Sequence, residues 1–111
     1  MVQDINPENY HIVLNTCPDM GVAKNLATLL VKNRMAACIN IIPGLTSIYE
    51  WKGKLETGTE CLLVIKSVKN SYPELEKMIR ENHPYELPEI ISVSVSGGLN
   101  EYLGWISQQC E

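Results

Sequence analysis

The sequence predicts an α+β fold, a ferredoxin-like β-α-β-β-α-β sandwich with an antiparallel sheet, a long hairpin between its second and third strands, and a short C-terminal helix. Two short segments mark helices handing over to strands, Met35-Ala36-Ala37-Cys38-Ile39-Asn40 and His83-Pro84-Tyr85-Glu86-Leu87-Pro88-Glu89. Between them lie two extended stretches joined by Lys52-Gly53-Lys54. At 111 residues the chain is long enough for one core that buries roughly two thirds of its unfolded surface, so residues 1–111 read as a single domain.

Tyr10 to Thr16, bounded by Pro7 and Pro18, is a compact apolar run and reads as a buried strand. Asp19 can cap a helix in which Ala23, Leu26, Ala27 and Leu30 recur at helical spacing. Ala36 to Trp51 reads as a long extended segment, kinked at Pro43-Gly44, and Glu60 to Val68 returns as its partner. Tyr49 and Trp51 fall near the tip of this projecting arm. One subunit buries such aromatics poorly, which points to a partner subunit, the alternative being an arm folded back on its own core.

Ser71-Tyr72-Pro73-Glu74 has the form of a capping box with proline in the first turn, and Leu75, Met78 and Ile79 supply the helix's apolar stripe. Pro84 and Pro88 exclude helix. Ile91, Val93 and Val95 alternate with Ser92, Ser94 and Ser96 as a strand with one apolar and one polar face. Asn100 is the expected cap of a last helix carrying Leu103 and Ile106. The topology predicts sheet order 4-1-3-2.

Nine Lys+Arg against thirteen Asp+Glu give a formal charge of −4 without a basic cluster. That balance argues against nucleic acid or an anionic membrane as partner. Met1 to Pro7 lacks a basic, then apolar, leader, and nothing approaches the ~18 apolar residues of a membrane span, so the expectation is a cytoplasmic protein. Cys17, Cys38, Cys61 and Cys110 form no C-x-x-C; in a reducing compartment they are thiols, with Cys38 and Cys61 read as small buried hydrophobes.

In this topology the end of the first strand meets the start of the fourth. Cys17 and Glu89 should be neighbours, with His83 leading into the same edge. Thiolate, imidazole and carboxylate together could hold a transition metal, and the first two favour copper or zinc. The signal is weak, and the simpler reading makes Cys17 a buried thiol, His83 a cap at the end of the second helix and Glu89 a solvated strand-start carboxylate. His11 lies too far away, six strand residues or roughly 20 Å from Cys17.

Other functions of the fold are missing their residues. Glu60 to Lys66 has no aromatic for stacking RNA bases, Asn15-Thr16-Cys17-Pro18 offers one thiol where metallochaperones place two, and no arginine there could bind phosphate. Tyr85 and Glu86 could act as acid and base by type, but no complete catalytic set assembles, so no enzyme is expected.

The chain resembles the CutA family, named for divalent-cation tolerance. The matching residues run from Cys17-Pro18-Asp19 through Arg34-Met35-Ala36-Ala37-Cys38-Ile39-Asn40-Ile41-Ile42-Pro43-Gly44, Tyr49-Glu50-Trp51-Lys52-Gly53-Lys54 and Glu60 to the His83–Glu89 segment and Tyr102-Leu103 with Trp105. The resemblance implies a tight homotrimer, a link to copper and other divalent metals, and no established catalytic activity. The family's copper pattern falls on Asn15, Asn82 and His83, so only His83 is retained and Cys17 would have to substitute. Two functions follow as expectations. One is a trimer acting in divalent-metal tolerance, with a divalent or copper ion held weakly near His83. The other is a trimer similar in architecture to PII-type regulators, with an unknown small molecule or protein bound in an intersubunit cleft lined by Tyr49, Trp51, Tyr85 and Glu86.

Overall fold

Tyr10–Cys17 forms β1, Met20–Lys32 α1, Cys38–Trp51 β2, Lys54–Val68 β3, Tyr72–Asn82 α2, Ile90–Ser94 β4 and Asn100–Gln109 α3. These come from a computed structural model that describes residues 5–111; the reading of Met1 to Pro7 falls partly on residues 1–4, outside the described ones. The sheet order, β2-β3-β1-β4, is the predicted one read from its other edge, and every pairing is antiparallel.

Asp19 caps α1 as its position requires, its carboxylate accepting from the Val22 amide at 2.9 Å. The helix buries Ala23, Leu26, Ala27 and Leu30 against one face of the sheet, where Val13, Cys17, Cys61, Leu63 and Ile65 meet Leu75 and Ile79 of α2. Strand side chains alternate between faces, so Ile12, Leu14, Leu62, Val64, Ile42, Ile91 and Val93 point to the opposite face. There α3 covers only one end, packing Leu103 and Ile106 on Tyr10 and Ala37.

The β2–β3 hairpin turns through Lys52 and Gly53, both at positive φ (52° and 80°), the backbone that matches the twist of two-residue hairpins. Its register breaks between Ile42 and Leu45, at the predicted Pro43-Gly44 kink, with Gly44 at φ 74°. Beyond the break the two strands form an arm in which no residue from 43 to 59 is buried, and the molecule measures 56 × 25 × 23 Å.

Four local expectations are corrected. β3 starts at Lys54, not Glu60, because cross-strand pairing with Leu45 to Trp51 extends it through a polar stretch that carries little strand signal. Ser71 makes no side-chain cap bond; a turn of 3-10 helix over Lys69–Ser71 leads into α2 instead, and Ser71 itself has near-helical backbone angles (φ −82°, ψ −8°). Asn100 is already inside α3, whose start at Leu99 has no side-chain cap. Cys38 is only half-buried.

Candidate functional site

Asn15 is the hub of the region where the end of β1 meets the start of β4. It is fully buried, paired with Ile90 across the sheet, and its amide donates to the Glu89 carbonyl at 2.8 Å. Its side-chain oxygen accepts from the Cys17 thiol at 3.4 Å. Both donor and acceptor of a buried amide are thereby used, which removes the penalty of leaving either unpaired. Cys17 and Glu89 do lie at one edge, but Glu89 joins through its backbone and its side chain is exposed.

His83 ends α2 in an extended conformation and turns its ring toward β1. Its Nδ1 accepts from the Tyr85 backbone amide at 3.1 Å, which places the proton of the neutral imidazole on Nε2. That Nε2–H donates to the Thr16 carbonyl at 2.8 Å and lies 3.8 Å from the Cys17 sulfur. Burial, with the nearby Cys61, Glu60 and Asp19, pushes the Cys17 thiol up to about 11, so it is protonated at neutral pH.

These atoms do not fit a ready-made cation centre. Metal binding takes a thiolate and a ring nitrogen lone pair, whereas the sulfur keeps its proton and both ring nitrogens are engaged. Among the described residues no three His, Cys, Asp or Glu side chains come together in a set able to hold a metal ion. Cys17 and His83 are thus brought together, while the Glu89 carboxylate does not complete the expected trio. Asn82, the other position the copper pattern falls on, bonds back to the Met78 carbonyl at 2.8 Å.

The second group of predicted residues gathers along the arm. The Tyr85 hydroxyl donates to the Glu60 carboxylate at 2.7 Å; burial first, then that bond and the negative charge, hold the phenol well above its ordinary range. Glu86 meets Lys52 at 3.9 Å with both side chains exposed, a contact worth little. Lys52 in turn lies 5.7 Å from the centre of the Trp51 ring. Tyr49 and Trp51 are 49% and 36% exposed. Sequence reasoning missed Glu60 as the partner of Tyr85, and Asn15 as the hub. Only the three-dimensional pairing reveals either, since neither residue type names its partner in one dimension.

Comparison with known proteins gives concordant matches. A family model described as CutA1 divalent ion tolerance protein covers residues 11–109. Protein CutA of Mus musculus is 47% identical over 96 residues, 86% of this chain but 54% of the mouse protein. The chain therefore spans about half the length of that relative. The divalent-cation tolerance protein CutA of Thermus thermophilus is 42% identical over 97 residues, 87% of this chain and 94% of that one. The solved Thermus structure superposes with a TM-score of 0.90 at 40% identity, covering 92% of this chain and 99% of that one. CutA from Xylella fastidiosa gives 0.91 at 40% identity, covering 93% and 99%.

Proposed function

The chain belongs to the CutA1 divalent ion tolerance family, and from that premise we propose that it acts in divalent-cation tolerance as a cytoplasmic homotrimer without a catalytic step. The observation that supports self-association is the open sheet face. Ile42, Ile91 and Val93 are 49%, 52% and 46% exposed beside Leu14, Leu62 and Val64, an apolar surface that a lone chain leaves to water at a cost. The unburied arm adds Ile48 and Leu55, 69% and 75% exposed. No helix among the described residues is long and apolar enough to cross a membrane.

Copper or zinc is the cation that the Cys17–His83 pair would favour by ligand type. With both ring nitrogens bonded, capture there costs the His83–Thr16 or His83–Tyr85 bond, so binding at this pair is weak. A second reading rests on the Tyr85–Glu60 bond together with Glu86, Tyr49 and Trp51: closed over by a neighbouring subunit, these groups would line a cleft for a small molecule or partner protein, as in PII-type trimers. The experiment is growth in graded copper, zinc and cobalt of cells lacking their own homologue, with and without this chain. Restored growth supports tolerance. Unchanged sensitivity from an expressed trimer overturns it in favour of the cleft reading.

A further inference from the structure

Cys17 and Cys61 stand directly opposite each other in the β1–β3 ladder, the last pair of its register. Both belong to the cluster between sheet and helices, so their side chains leave the same face. Directly opposed residues in antiparallel strands have Cα atoms about 4.5–5.5 Å apart and Cβ atoms about 4.5–5.5 Å apart. A disulfide needs Cα atoms about 4.4–6.8 Å apart and Cβ atoms about 3.5–4.5 Å apart. The two Cβ ranges meet at about 4.5 Å, so closure draws the two backbones slightly together at the end of the β1–β3 ladder. The other cysteines have no such partner: Cys38 faces Lys66, and Cys110 lies beyond α3 in the second cluster.

We propose that Cys17 and Cys61 form an intrachain disulfide under oxidation, a redox site that takes up the same Cys17 sulfur that lies beside His83. With hydrogen peroxide as oxidant, the Cys61 sulfur gives up its proton as it attacks a peroxide oxygen and becomes a sulfenic acid, releasing hydroxide that takes up that proton to give water. The second sulfur then displaces the sulfenic oxygen as water, closing the S–S bond. Two thiols lose two electrons and two protons, and one peroxide becomes two waters. The oxidised Cys17 has no S–H left for Asn15 Oδ1, so the link from β1 to Glu89 loses one of its two side-chain bonds. Oxidation is thereby felt at the start of β4, beside His83.

The test uses the whole reduced protein, treated with hydrogen peroxide, then alkylated in denaturant and mapped as unreduced peptides. Expected are loss of two of the four free thiols, a linked peptide pair containing Cys17 and Cys61 within one chain, reversal by dithiothreitol, and a higher melting temperature. Cys61→Val should keep Cys17 alkylatable throughout. Recovery of both residues as alkylated thiols, their appearance as sulfinic acids, or links to Cys38 or Cys110 overturns the proposal.

Discussion

His83 Nε2 donates to the Thr16 carbonyl at 2.8 Å, tying the end of the second helix to the last turn of the first strand. With its other nitrogen held by the Tyr85 amide, the ring is a cross-brace rather than an open ligand. His83→Ala leaves two backbone groups without this partner and should lower stability by about 1–2 kcal/mol, read as a shifted denaturation midpoint. Calorimetric titration with copper should change little between the two proteins. Loss of a tight, saturable site would show that the ring does leave its brace to bind metal.

The hydroxyl of Tyr85 bonds the Glu60 carboxylate, so Tyr85→Phe should cost about 1 kcal/mol. Because the folded-state phenol lies above its ordinary value of about 10, its contribution is complete below that pH and fades as pH rises further. Ultraviolet titration of the phenolates should show, beyond the raised Tyr72 and Tyr102, a last-titrating tyrosine that the variant lacks.

His11 is buried, with Nδ1 2.8 Å from the Ser92 hydroxyl and Nε2 without a partner; the Tyr72 ring lies edge-on at 5.8 Å. Burial, with Lys69 adding to it, lowers its pKa from 6.5. The unfolded chain then binds the proton more readily than the folded one, so stability is full above pH 6.5 and declines as pH falls below it. Melting temperatures across the acid range should drop for the native chain and flatten in His11→Gln.

Ile91 and Val93 lie on the open sheet face, so Ile91→Asp with Val93→Lys should leave the subunit folded and break the assembly. Sedimentation at low micromolar concentration should shift from trimer to monomer while far-ultraviolet circular dichroism is kept. A trimer that survives both changes would place the interface elsewhere.

The order of elements was legible because each left a local mark: Asp19 before a helical stripe, Pro43-Gly44 at the bulge, Lys52-Gly53 in the turn. Ser71 and Asn100 misled because capping residues advertise a helix start whether or not the backbone there takes the cap geometry. The serine–aliphatic alternation of β4 holds only to Ser94, where the strand ends short of the expected Val95 and Ser96, and it did not tell which face would be covered. Ser92 reaches inward to His11 on the helix side, while Ile91 and Val93 face outward. The candidate site was half legible. Topology put Cys17 beside the start of β4, but Asn15 decides how the groups bond, and a buried amide bridging two strands has no signature in one dimension.

The unburied arm carries a consequence for how the chain tolerates surgery. Its tip between Lys52 and Lys54 joins two strands already held by their own ladder and buries no residue; where it meets Glu86 both side chains are exposed. A peptide bond cut there, or a short polar segment spliced in, would leave both halves zipped together. The hairpin tip is thus the natural seam at which this protein could be divided into two complementing fragments.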